Sequence, residues 1–267
     1  MNPADLTQRW RDRRDAYRAR GEAFAPGEFG VELLPGDRAA RAFVEQHHYS
    51  GSYPAARCRV GLYRQRPGWY APEMVGVAVF SVPMSQAVIP KWLGVSASSG
   101  VELGRFVLLD EVPFNAETWF LARAVKVLRA EMPDLAGLVS FSDPVPRRDS
   151  SGALVMPGHV GTIYQARNAA YRGRTGAILH YQGVDGRFVS PRLISKIRGE
   201  EQGWEYASRD LTALGAPARL PGEEPRAWLT RVLPGFARVR HPGNHAYTWH
   251  FNGKPAPGLP YPKKVTS

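Results

Sequence analysis

The chain has 267 residues, with 35 Lys and Arg against 24 Asp and Glu, a formal net charge of +11, and 43% apolar and 11% aromatic residues. That composition excludes a disordered chain, and the excess of cations calls for a polyanionic partner, nucleic acid first. A single cysteine, Cys58, excludes an internal disulfide and a cysteine-rich zinc site.

At this length one catalytic domain with a substantial extension is expected. Residues 1–27 place Leu6, Trp10 and Tyr17 among Arg and acids, a spacing that predicts a basic amphipathic helix ending near Gly21. The opening stretch has no apolar signal-like region, and no run approaches the roughly 18 apolar residues of a membrane span. A cytoplasmic chain that meets no membrane is expected; a homodimer is compatible with the sequence.

The segment Asp37–Tyr49 predicts a short helix with His48 and Tyr49 at its exit. Three runs then read as a meander of antiparallel strands, CRVGLYR from Cys58, MVGVAVFSV from Met74 and VELGRFVLL from Val101, each rich in Val and aromatics. Glu102 and Arg105 are an odd number apart, which puts them on opposite faces of a regular strand. AETWFLARAVKVLRAEM carries Phe120, Ala124, Val127 and Leu128 at helical spacing, with Asn115 as the expected N-cap and Pro133 beyond the end. AGLVSFSDP predicts another strand, closing at Asp143, and GHVGTIYQARNAAY a second helix.

Strands interleaved with helices in this order indicate an α/β protein. The turn from Asp110 to Thr118 opens onto a helix N-terminus, where free N–H groups and the helix dipole favour an anion such as a CoA pyrophosphate. Arg105, Asn115 and Thr118 are the expected donor-binding residues. Between Tyr171 and Arg198 stand six cations, among them Arg172, Arg174, Arg192, Lys196 and Arg198, against Asp185 alone. Such a stretch suits DNA phosphates, and the aromatics Tyr181, Trp204, Tyr206, Trp228, Tyr247 and Trp249 suit stacking on an extruded base or the core of a small subdomain.

The strings HHYSG, ELGRFVLLDEVPFNAETWFL, LVSFSDP, GHVGTIYQARN, RHPGNHAYTWHFNG and LPYPKK, spread from about residue 47 to residue 264, resemble the signature blocks of the Mom family of phage DNA-modification proteins. The resemblance implies a GNAT-like fold: a mostly antiparallel, twisted central sheet flanked by helices, with two strands splayed around an acyl-CoA thioester. It implies modification of the exocyclic N6 amine of adenine in double-stranded DNA, with acetyl-CoA or a related acyl donor, to protect phage DNA from restriction. The matched positions are His48, Tyr49, Asp143 and Tyr164. Asp143 or His48 would take the proton of the amine, and Tyr164 stands where a tyrosine protonates the departing thiolate. The run from Pro144 to Pro157 is an insertion relative to similar proteins.

His48, Asp143 and His159 would also suit iron or another divalent ion, as two imidazoles and one carboxylate. The expected division is a basic N-terminal helix (1–27), a GNAT-like core (28–182) and a basic, aromatic C-terminal extension (183–267). A CoA-dependent acetyltransferase acting on a protein or small molecule, and a non-catalytic DNA-coating protein, are the alternative readings.

Overall fold

A computed structural model of the chain describes residues 6–11, 14–19, 23–48, 50–65, 68, 70–113, 115–156, 158–253 and 257–263. They form two compact units, one of residues 1–144, 159–174 and 244–267, the other of residues 145–158 and 175–243. In chain order the first unit runs β1 (Leu6–Arg11), β2 (Arg14–Ala19), β3 (Phe29–Leu33), α1 (Asp37–His47), β4 (Ala56–Arg64), β5 (Glu73–Ser81), α2 (Val88–Leu93), β6 (Gly100–Leu108), α3 (Ala116–Glu131) and β7 (Gly137–Ser142). The chain leaves for β8 (Arg147–Arg148) and β9 (Leu154–Met156), then returns for α4 (Thr162–Ala166) and β10 (Ala170–Arg174). It leaves again for β11 (Ile178–Gln182), α5 (Pro191–Arg198), α6 (Trp204–Ala213), α7 (Pro225–Val232) and β12 (Ala237–His241), and comes back as β13 (His245–His250).

The first unit is built on a seven-stranded sheet in the order β3, β4, β5, β6, β7, β13, β10. The run of Val and Ala in β5 is buried from Val75 to Ser81, as a strand covered on both faces requires. On α3, Ala116, Phe120, Leu121, Ala124 and Leu128 form the buried stripe, and a side chain the size of Phe120 contributes about 1.5–3 kcal/mol by leaving water. Every described pairing in the sheet is antiparallel except β6 with β7, which the α3 crossover makes parallel. The expected class, a mixed α/β protein with a mostly antiparallel central sheet flanked by helices, is what forms.

Four local expectations change. Residues 6–11 and 14–19 pair as antiparallel strands, Leu6↔Ala19 through Arg11↔Arg14; Leu6 and Trp10 are four apart, a spacing that fits a strand as well as a helix. The predicted second helix shrinks to the five residues of α4, since the chain is already extended at Ala170. Asn115 occupies the N-cap position of α3 in a left-handed conformation with no side-chain cap. Lastly, HAYTWH does not belong to an appended extension: it is β13, inserted between β7 and β10, and Tyr247 is fully buried there.

The second unit is therefore two insertions into the first, not a tail. Ser150 N–H donates to Val184 O at 2.8 Å, the Gln182 amide donates to Arg148 O at 2.9 Å, and the Arg147 guanidinium lies 4.1 Å over the Phe188 ring, so the two insertions share one structure. Its core gathers Leu193 and Ile197 of α5, Leu211 of α6, and Trp228 and Val232 of α7. Proline at the start of α5 and α7 fits the first helical turn.

Candidate active site at the open seam of the sheet

The parallel pair is short: Gly100↔Gly137, Val101↔Leu138 and Glu102↔Val139. Beyond it β6 continues to Leu108 and β7 to Ser142 with no pairing between them. Just past the last rung the Ser140 hydroxyl donates to Leu103 O at 3.5 Å. The sheet thus opens into a seam between two strands, the splay expected from the resemblance.

Gly104 sits at the opening. Val79 faces Arg105 while Phe80 faces Leu103, so Gly104 is the extra residue of a β-bulge. A Cβ there would lie 2.3 Å from Ser81 Oγ. The bulge resets the strand's alternation, bringing Glu102 and Arg105 to one side instead of opposite faces, and the Arg105 charge acts on the Glu102 carboxyl. Burial, the larger influence, raises that carboxyl to about 6. Arg105 itself donates to Ser52 O at 2.9 Å, to Ser52 Oγ at 2.8 Å and to Gly104 O at 2.6 Å, tying the segment after α1 to the bulge.

That segment carries His48. α1 ends at His47, and His48, extended at the C-cap, keeps its backbone N–H on Val44 O. The Ser50 N–H donates to His48 Nδ1 at 3.1 Å, and the Ser50 hydroxyl lies 2.7 Å from the same nitrogen. A nitrogen that accepts a backbone N–H carries no proton, so the neutral ring bears its hydrogen on Nε2. Burial first, then the charges of Arg105 and His159, lower His48 to about 3. Tyr49 lies outside the described residues.

On the other side of the seam, the insertion begins and ends at one hydrogen bond: His159 N–H donates to Asp143 O at 2.7 Å. The extra residues leave and rejoin the first unit without separating these two. His159 is exposed as a residue; partial desolvation lowers its pKa, with Asp143 opposing and His245 adding to the fall, and solvent access limits the shift. His159 is also one of the groups that depresses His48, so His48, Arg105, Asp143 and His159 share one electrostatic neighbourhood.

Tyr164 on α4 is 6% exposed and packs against Tyr247 (5.4 Å between ring centroids), Trp249 (5.8 Å) and His159 (6.4 Å). Gly161 makes this stack possible. It is left-handed at φ 73, and a Cβ there would lie 2.7 Å from the Tyr247 ring and 2.8 Å from the Tyr164 ring. Tyr247 donates its hydroxyl to Val160 O and accepts from the Gln165 amide at 3.1 Å. Burial pushes its pKa to about 12, which keeps it protonated.

Sequence reasoning missed His245. Its Nδ1 lies 2.8 Å from the Tyr171 hydroxyl, while Nε2, in a side chain 1% exposed, has no protein partner. Directly opposite on β7 is Ser142, whose hydroxyl is likewise buried and unpartnered. The only hint was the alternation of HAYTWH, which argued for a strand but not for one beside Asp143.

The remaining expected residues separate. Thr118 donates its hydroxyl to Asn115 O at 3.1 Å at the start of α3, apart from the imidazoles. Among the described residues no group of three His, Cys, Asp or Glu converges closely enough to hold a metal ion, so His48, Asp143 and His159 are not a ligand set; sequence spacing could not show convergence. Arg172 is engaged within the first unit by Thr248 Oγ1 at 2.8 Å, Pro257 O and His250. Arg174 is exposed and its charge lowers His245, after burial. Arg192 is drawn to Glu201 at 2.6 Å. A cavity of about 440 Å3 lined by Arg57, Pro83, Ile89 and Ser98 adjoins the start of β6 and includes none of the seam's titrating groups. No described helix is long and apolar enough to cross a membrane.

A mostly antiparallel sheet opened along a single parallel pair and flanked by helices defines a mixed α/β protein, the architecture that the resemblance implied. The model of the Mom protein family matches residues 28–215, from β3 through α6, and the chain belongs to that family. Among solved structures, a tandem GNAT protein from the clavulanic acid biosynthesis pathway, determined without AcCoA, is similar at 9% identity, covering 70% of this chain and 66% of that one, with a TM-score of 0.35. That likeness is too slight to carry weight. None of the curated proteins matches the chain.

Proposed function

We propose that the protein transfers an acyl-type or methylcarbamoyl-type group from a CoA thioester or related donor to the exocyclic N6 amine of adenine in double-stranded DNA, a change that hides phage DNA from restriction. The observation that carries this reading is the set of neutral imidazoles at the open seam of a Mom-family sheet. An adenine amine is a poor nucleophile because its lone pair is delocalised, so a base must take its proton as the new bond forms. His159 suits that role: it is uncharged at neutral pH, solvent reaches it, and the Asp143 charge beside it favours the imidazolium that results.

His48 suits a different role. With Nδ1 occupied by Ser50 and a pKa near 3, it offers a neutral N–H, able to stabilise a developing oxyanion without surrendering its proton. Tyr164, held in its aromatic stack, supplies the proton for the leaving group. The donor contributes the activated acyl carbon. Its diphosphate would fall to the N-terminus of α3, where no side chain caps the helix and the Thr118 hydroxyl stands in the first turn. Arg105 serves to fix the His48 segment against the bulge.

The test is to express the chain in a bacterium, digest the cellular DNA to nucleosides and analyse them by mass spectrometry. A heavier deoxyadenosine supports the reading; unmodified DNA, with acetyl-CoA consumed on proteins or small amines instead, replaces it with an ordinary acetyltransferase.

A further inference from the structure

The second unit sorts its arginines into two kinds. Arg187 is held by Asp185 at 2.5 Å, Arg192 by Glu201 at 2.6 Å, Arg219 by Glu200 at 3.1 Å and Arg231 by Glu223 at 2.7 Å. Arg148, Arg198, Arg209, Arg226, Arg238 and Arg240 are all exposed and form no ion pair with any described residue. Four of the six, Arg198, Arg226, Arg238 and Arg240, are not scattered. Arg198 at the end of α5 and Arg226 at the start of α7 line one cavity of about 530 Å3 together with Tyr181, Leu229 and Leu233, within the roughly 300–1,000 Å3 of ligand sites. Arg238 stands directly opposite Tyr181 in the β11–β12 ribbon, and Arg240 opposite Leu179 two residues along, so both share the Tyr181 face.

Four cations left without acids around one tyrosine repel one another, and a polyanion relieves that repulsion. Guanidinium groups match phosphate oxygens in bidentate fashion, and an aromatic ring among them stacks on a base face regardless of sequence. We propose that this cavity, with the ribbon face beside it, is where the second unit grips DNA, with Arg198 and Arg226 at the cavity and Arg238 and Arg240 on the ribbon taking phosphates and Tyr181 against an unstacked base. The proposal rests on the reading of DNA as substrate. It moves the grip away from Arg192, which Glu201 already pairs, and from Lys196, which lies within reach of the same carboxylate's charge.

Fluorescence anisotropy with a duplex oligonucleotide, titrated between 50 and 200 mM salt, tests it. Arg198→Gln/Arg226→Gln and Arg238→Gln/Arg240→Gln should each weaken binding across all sequences and flatten the slope of log K against log salt by about 1.8, at about 0.9 per lost phosphate contact. Tyr181→Ala should weaken binding by roughly 5-fold to 100-fold with the slope unchanged. Arg192→Gln/Lys196→Gln should stay within about twofold of the parent. Arg198, Arg226, Arg238 and Arg240 have no ion pair with any described residue to lose, and unchanged melting curves would verify that these variants, and Tyr181→Ala, whose ring packs against the second core, keep their fold. Parent affinity and slope in both arginine pairs would overturn the proposal while leaving DNA as the substrate. A parent protein that binds no duplex DNA, or prefers duplex RNA, would overturn both.

Discussion

The seam of the first unit and the arginine face of the second handle charge in opposite ways. At the seam, burial displaces titrating groups towards their neutral forms: it takes His48 down to about 3 and raises Glu102 to about 6, while the more exposed His159 is shifted downward as well. On the second unit, Arg198 of α5, Arg226 of α7 and Arg238 and Arg240 of the ribbon stay exposed and form no ion pair with any described residue. Buried groups with displaced pKa values suit proton transfer or neutral hydrogen bonding, whereas solvated guanidinium groups can only attract. On the proposed reading, chemistry belongs to the first region and DNA grip to the second.

The largest effect expected on the chemical side follows Asp143→Asn and Tyr164→Phe. Each should lower the yield of modified deoxyadenosine by about 10²-fold to 10⁴-fold, as loss of a general acid or a base's partner commonly does, with the melting temperature preserved. Phe keeps the ring stack with Tyr247 and Trp249. Equal activity in either variant would remove that residue from the account.

Next in size is Gly161→Ala. A Cβ would strike two packed rings from a left-handed backbone, which should destabilise the protein by about 1–3 kcal/mol, read as a fall in melting temperature of several degrees. Activity should fall with it, because the stack that positions Tyr164 is what moves. An unchanged melting temperature would show that the rings yield.

A smaller effect separates the two regions by pH. Unfolded imidazoles bind protons near 6.5 while folded His48 does so only near 3, so the unfolded chain holds more protons below 6.5 and stability falls as pH drops through that window. Glu102 acts the other way: folded, it keeps its proton to about 6 against an ordinary 4.5, so its contribution is lost as pH rises between those values. Denaturation in urea at pH 7.5 and pH 5.0 should therefore show an acid-side loss that His48→Gln reduces. Arg192→Glu, on the exposed face of α5, should change stability by no more than about 1 kcal/mol, the worth of a surface pair.

Much of this frame was legible in the sequence. The meander of β4, β5 and β6, the α3 helix and the β7 strand could be read from Val-rich runs and one apolar stripe, and His48, Asp143 and Tyr164, taken from motif blocks, fall within the residues that the family model matches. What the sequence hid was long-range or parity-dependent. One extra residue, Gly104, moves Arg105 to the side of Glu102. β13 returns across the whole second insertion to put His245 opposite Ser142. The basic stretch from Tyr171 to Arg198 read as one surface, yet Arg172 is absorbed by Thr248 and His250 and Arg192 by Glu201, while Arg238 and Arg240 lie forty residues further on.

The division between chemistry and grip is tested most directly by steady-state modification kinetics on duplex DNA with the purified protein. His159→Gln should lower kcat with the KM for DNA nearly unchanged. The quadruple variant Arg198→Gln/Arg226→Gln/Arg238→Gln/Arg240→Gln should raise that KM with kcat nearly unchanged. If the arginine variant instead loses kcat at saturating DNA, or His159→Gln changes only KM, chemistry and binding are not divided between the two regions and the account is contradicted.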